Sequence, residues 1–178
     1  MSIDESLASL PVHKKAIKLT DRKWLPFTYD DKHLFEIKKG KRITNEEMKE
    51  GTTPCIRPID KNNGIFKYID IKPNHDGNTI TVNYNGSVGE AFYQPKPHFS
   101  LDDINVLYPR SKLNVYIAMF LTTLIRSEKY RFSYGRKWHL ERMNKSIIKL
   151  PVDGNDNPDW QFMEEYIKSL PYSSNLKN

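Results

Sequence analysis

The chain of 178 residues contains one cysteine, Cys55, so no internal disulfide framework can form and a reducing compartment is expected. Cys55 lies in TPCIRPI between apolar neighbours, which fits a buried, inert thiol better than a nucleophile. No apolar run approaches the ~18 residues needed to cross a bilayer, and the N-terminal MSIDESLASL lacks the basic flank of a secretion signal. The expectation is a soluble, cytoplasmic protein. Neither a GxxxxGK[ST] phosphate loop nor a GxGxxG turn occurs. His13, His33, His75, His98 and His139 stand apart, so a structural zinc site has no ligand set. No metal or cofactor is expected. Internal repeats and low-complexity tracts are also absent.

What is present is positive charge, and it is concentrated. Between Arg126 and Lys149 eight Lys/Arg face only Glu128 and Glu141, a local excess equal to the net +6 of the whole chain. Phe132, Tyr134 and Trp138 alternate with those charges in RFSYGRKWHLERMNKSIIKLP, residues 131–151, and Gly135 marks a turn. Cations with interleaved rings suit nucleic acid, because Lys and Arg neutralise phosphates while rings and guanidinium planes meet sugars and bases. The competing reading is a solvated helix face over three core aromatics. A sequence pI near 9.2 favours an anionic partner, with nucleic acid first, an acidic protein second and a membrane surface third.

Residues 1–16 have weak periodicity and read as an N-terminal arm. Residues 33–37 are strand-like, and Lys38-Lys39-Gly40-Lys41-Arg42 reads as a tight basic loop. Thr44 with Glu47 three residues on is a helix-start signal. Pro54 and Pro58 keep residues 53–59 extended, and Asn62-Asn63-Gly64 signals a turn. The strand pattern of 79–84, then Asn85-Gly86, predicts a two-residue hairpin returning over 87–93, with Val82 opposite Gly89 and Ile80 opposite Ala91. Pro95 and Pro97 end that strand, and 106–108 adds one more. Leu113, Tyr116, Ile117, Phe120, Leu121, Leu124 and Ile125 recur at spacings of three and four, which predicts a main helix over 111–130 covering the sheet. Asn157 as cap and Pro158 in the first turn start a shorter C-terminal helix.

Two motifs carry residue types suited to catalysis. Glu36-Ile37-Lys38 after Asp21, Asp30 or Asp31 fits the loose Asp…Glu-x-Lys pattern of Mg2+-dependent nucleases. Asn157-Pro158-Asp159-Trp160 is similar to the Asn-Pro-Pro-aromatic loop of adenine methyltransferases. Asp stands where the second Pro belongs, however, and no cofactor-binding motif precedes it, so it reads as a helix cap.

Taken in order, DRKWLPF, HLFEIKKGKR, TTPCIRPIDKNNGI, NTITVNYNGSVGEAFYQP, RFSYGRKW, IIKLPV and NPDWQFMEEYIKSL span residues 21–170. This series resembles the target recognition domain of type I restriction-modification specificity subunits and of related type IIG enzymes. The resemblance implies an α+β domain, with a small, twisted, mostly antiparallel sheet under a long helix and a short C-terminal helix. It further implies a non-catalytic module that reads one half of a bipartite double-stranded DNA target and positions an N6-adenine methyltransferase, joined in full systems by a restriction subunit. The expected division is an arm (1–16), a recognition domain (17–157) and a truncated spacer-like helix with its tail (158–178). A full specificity subunit carries two such domains on long helical spacers. A half-subunit pairing with itself and a unit serving a separate methyltransferase therefore both stand. Lys38, Lys39, Lys41, Arg42, Arg136, Lys137 and Arg142 are the candidates for phosphate contact. Arg57, Asn62, Asn63, Tyr134 and His139 are the candidates for base edges. Trp160, Phe162, Met163, Tyr166 and Ile167 exceed what so short a helix needs for one-sided packing, and mark a surface for a second copy or a methyltransferase. The alternatives are the Mg2+-dependent nuclease using Glu36 and Lys38, and a docking module that does not touch DNA.

Overall fold

In the computed structural model, which describes residues 16–171 and 173–176, nine strands form three sheets, and the largest is built around β8 (Ile104–Pro109). β8 pairs antiparallel on one side with β2 (Phe35–Lys39) and on the other with β5 (Thr79–Asn83), and β6 (Ala91–Gln94) closes that sheet. Such a central strand is buried on both faces, and residues 104–107, Ile-Asn-Val-Leu, are all buried. A second sheet holds β4 (Ile65–Ile69), β3 (Glu50–Ile56) and β7 (Phe99–Ser100), with β3 and β7 parallel. The third pairs β1 (Trp24–Thr28) with β9 (Ile147–Pro151), and so brings the two ends of the domain together. The fold is therefore the expected antiparallel α+β domain under a long helix, with its strands divided among three sheets instead of one. The expected arm lies outside the described residues except for Ala16.

α1 (Val115–Ser127) lays Ile117, Ala118, Leu121 and Ile125 on Ile80, Val82, Ala91 and Leu107 of the large sheet, in one continuous buried cluster. Burying such a stripe stabilises by about 25 cal/mol per Å2 of apolar surface. The helix starts four residues later than its periodicity suggests, because Asn114 Oδ1 accepts from the N–H groups of Tyr116 and Ile117, both at 3.0 Å. α2 (Leu140–Lys145) is a short helix inside the basic stretch. α3 (Trp160–Ser169) is capped by Asp159, whose carboxylate accepts from the Phe162 N–H at 2.9 Å. The expected cap Asn157 instead donates its own N–H to Asp153.

Two local expectations need correction. Thr44 and Glu47 exchange both capping hydrogen bonds, yet only a turn forms, since strand β3 begins at Glu50. The β5–β6 hairpin is two residues out of the expected register: Val82 faces Ala91 and Ile80 faces Tyr93. Asn83 N–H donates to Glu90 and Gly89 N–H to Asn83, which widens the connection to residues 84–90. A shift of two keeps every side chain on its face, so Ile80, Val82 and Ala91 still reach the core.

Candidate nucleic-acid interface

Lys38 and Lys39 are exposed on β2, inside a strand and not in the loop expected for them. Lys38 Nζ lies 4.4 Å from the Tyr108 ring centroid and 3.3 Å from Glu36, and Lys39 Nζ lies 5.0 Å from the Tyr84 centroid. The chain leaves the strand at Gly40, whose place is dictated by close backbone approach: a Cβ there would sit 2.1 Å from the Leu101 carbonyl oxygen. Lys41 N–H still donates to Ser100 at 2.9 Å, which carries Lys41 and Arg42 past β7. Arg42 then lines a cleft of about 360 Å3 together with Arg57, Asn85, Asp102 and Asp103.

The hairpin connection 84–90 links this cleft to the basic stretch. Asn85 Nδ2 donates to Asp103 at 2.9 Å beside the cleft, while the Tyr84 carbonyl accepts the Trp138 N–H at 3.2 Å. Trp138 is fully buried and stacks on buried Phe132 at 4.3 Å and 12°, with its indole N–H donating to Ser146 Oγ at 2.9 Å. Two of the three aromatics in RFSYGRKW are thus core, as the competing reading had it. Tyr134, between them, is 80% exposed on a turn with Arg136 and Lys137. Arg142 donates to the Lys137 carbonyl and shares a surface groove with Arg131, His139 and Lys145. His139 is exposed at the N-terminus of α2 and its side chain makes no capping bond.

The carboxylates sort the cations. Glu90 pairs with Arg126 at 3.3 Å and with Lys129, and Glu128 pairs with Arg131, so the three cations of the first part of the basic stretch are held against two carboxylates within the fold. Among the described residues, Lys39, Lys41, Arg42, Arg57, Arg136, Lys137 and Arg142 have no ion-pair partner. Lys39 lies over Tyr84, Arg42 and Arg57 line the cleft beside Asn85 together with Asp102 and Asp103, and Arg136 and Lys137 precede Trp138, whose N–H bonds to Tyr84, so these cations lie on segments that meet at the 84–90 connection.

Not every sequence-predicted residue joins it. Asn63 donates its amide to the Tyr93 carbonyl at 2.9 Å and to Gln94, so holding β6 occupies the group that was to read a base. Asn62 is exposed beside it, and both adopt left-handed backbone angles. On α3, Phe162, Met163 and Ile167 are largely buried against the parent domain. Trp160 and Tyr166 are half-buried, and Tyr166 borders a shallow apolar cleft of about 200 Å3 with Leu19, Trp24, Leu124 and Leu170. Glu36 pairs with Lys38, and among the described residues no three His, Cys, Asp or Glu side chains gather as metal ligands. Burial raises the Cys55 thiol above its ordinary range, which suits an inert side chain. No described helix is long and apolar enough to cross a membrane.

Sequence reading missed Asn85, Asp102 and Asp103, which the hairpin connection and the β7–β8 turn bring to the cleft, and Tyr84, whose N–H bonds to the Asp103 carbonyl beside it. It also missed Phe66 and Tyr68, about half exposed on edge strand β4 with Arg57 4.4 Å over the Phe66 ring. Two aromatics at alternate positions of one short strand, either side of Lys67, were the available signal.

Known proteins are similar to this chain in sequence and in fold. The chain is 38% identical over 157 residues to the specificity subunit S.BcgI of a type II restriction enzyme from Heyndrickxia coagulans, an alignment covering 85% of this chain and 45% of that protein. It is 27% identical to a putative type I specificity subunit, S.MpnORF507P, of Mycoplasma pneumoniae, over 84% of this chain and 41% of the relative. The fold matches the S subunit of a type I restriction-modification system from M. genitalium with a TM-score of 0.63 at 18% identity, covering 88% of this chain and 40% of that one. It also matches the HsdS subunit from Thermoanaerobacter tengcongensis, with a TM-score of 0.57 at 12% identity over 92% of this chain and 39% of that one. The chain spans less than half the length of these relatives. Residues 23–178 match the type I restriction modification DNA specificity domain, and the chain belongs to that family.

Proposed function

We propose that this chain is the DNA-reading module of a restriction-modification system, which recognises one half of a bipartite duplex target and positions an N6-adenine methyltransferase. A restriction subunit joins the complex in full systems, and the partners supply catalysis. The observation that carries this reading is the row of unpaired cations about Tyr84, on a chain whose family is a DNA specificity domain. Lys39, Lys41, Arg42, Arg136, Lys137 and Arg142 hold phosphates, and Arg57 with its neighbours in the cleft faces base edges. Trp160, and Tyr166 with the apolar cleft it lines, meet the methyltransferase or a second copy.

The test is a gel shift on duplex DNA with and without Mg2+, joined to incubation of the purified chain with plasmid and S-adenosylmethionine. Binding without metal, and neither cleavage nor adenine methylation, is the expected result. Cleavage that survives repurification would instead support a nuclease acting through Glu36 and Lys38. For the partner surface, light scattering of the free chain and co-purification with its methyltransferase decide, and a strict monomer that never co-purifies removes that part of the proposal.

A further inference from the structure

We propose that Tyr134 acts as a wedge: when the chain binds duplex DNA, the Tyr134 ring enters a base step and partly unstacks it. This rests on the DNA-reading function above and adds how one side chain of that face acts. Ser133 N–H donates to the Arg136 carbonyl at 3.3 Å, and Arg136 N–H returns to Ser133 at 3.0 Å. Tyr134 and Gly135 are therefore the two tip residues of a minimal turn. A Cβ placed on Gly135 would meet nothing within 4 Å, so the tip stands clear of the rest of the domain.

Both legs of the turn are anchored. Phe132 and Trp138 stack on each other in the core, and Trp138 is also tied through its N–H to Tyr84, through its indole to Ser146 and through its carbonyl to the Asn105 amide at 3.0 Å. A tip so held has little freedom to lose on binding, and an exposed ring gains by stacking on a base. Tyr130 is even more exposed, at 84%, but it sits within the single turn Glu128–Arg131 and not at a projecting tip. Arg136 is exposed next to Tyr134, and Lys137 Nζ lies 5.2 Å from its ring centroid. Cations on the leg that follows an aromatic tip are placed to hold backbone phosphates while the ring enters the groove. Apolar and aromatic side chains that enter base steps work in this way.

The experiment uses the full chain and duplexes enriched from a random pool by repeated rounds of binding, with 2-aminopurine placed at successive positions of the enriched site. Binding of the wild-type chain should raise the fluorescence at one step. Tyr134→Phe should keep both the rise and the affinity, because the ring does the work. Tyr134→Ala should abolish the rise and weaken binding on the order of tenfold to a hundredfold, with an unchanged salt slope. Tight binding with no position responding overturns the wedge, as does a Tyr134→Ala protein that keeps the rise. Loss of affinity in Tyr134→Phe also overturns it, since the hydroxyl would then be reading a base edge. A chain that enriches no duplex at all fails at the earlier step, the DNA-reading function, and takes the wedge with it.

Discussion

Tyr134 and Trp138 are four residues apart in one basic run, yet one is 80% exposed and the other fully buried. Their substitutions should separate accordingly. Trp138→Ala removes a ring that packs on Phe132 and Tyr29 and should destabilise the domain by about 3–5 kcal/mol in urea unfolding. Tyr134→Ala should leave stability within about 0.5 kcal/mol, as surface changes do. His98 gives the fold a pH dependence. It is fully buried, stacks on His75 at 5.7 Å, and burial holds its pKa down to about 4. Burial also lowers His75, while Asp76 nearby opposes the shift in both. The unfolded chain takes up this proton near pH 6.5 and the folded chain only near 4. Stability is therefore full above pH 6.5, falls as pH drops between those values, and the His98 contribution levels off below. The slope is at most about 1.4 kcal/mol per pH unit for one histidine. Thermal melts of wild type and His98→Gln across that window check it: the variant should show a shallower fall.

At the scale of elements, the passage from β2 to β7 depends on Gly40. Alanine there sets a methyl 2.1 Å from a backbone carbonyl, which no side-chain rotation relieves. The strand and the turn must part, so Gly40→Ala should cost about 1–3 kcal/mol and displace Lys41 and Arg42. Weaker DNA binding with Tyr134 and Arg136 unchanged is the expected result. Equal stability and affinity would show that the turn tolerates the shift. The elements β1, β4, β7, β9 and α2 carried no clear local pattern. Strands β2, β3, β5, β6 and β8 and helices α1 and α3 were legible in the sequence, because each of those patterns depends on residues a few positions apart. The hairpin register was not. Asn85-Gly86 is a strong local turn signal, but Asn83 also donates its amide to the Ile59 carbonyl at 3.1 Å and Gly86 lies against Pro58. Those long-range contacts support a wider loop, and a shift of two residues leaves the buried face intact.

For the whole molecule, the predicted behaviour is electrostatic. Phosphate contacts release counterions, so binding should weaken with salt at a slope of about −0.9 per neutralised phosphate. Changing Arg136 and Lys137 to Ala should weaken binding to all duplexes and flatten that slope by up to roughly two units, read by fluorescence anisotropy at several salt concentrations. Unchanged affinity and slope in a folded variant would move the DNA face to Lys38–Arg42. Arg126 and Lys129 belong to the same basic run, but both are engaged by Glu90. Their removal should affect stability more than the salt slope.

The sequence by itself determined where the positive charge concentrates, that one amphipathic helix covers a mainly antiparallel sheet, and which family the ordered motifs resemble. Charge, periodicity and turn residues are properties of short stretches and can be read without a fold. The tertiary structure alone decided that Phe132 and Trp138 turn inward while Tyr134 projects. It also decided that Asn63 is spent on β6, that most of α3's apolar face is already covered, and that Tyr84 and Asn85 join two basic segments into one edge. Each of these depends on partners far apart in the chain: Trp138 with Tyr84, Glu90 with Arg126, Asn63 with Tyr93. Exposure and free charge are what remains after such contacts have formed, and no local pattern contains them.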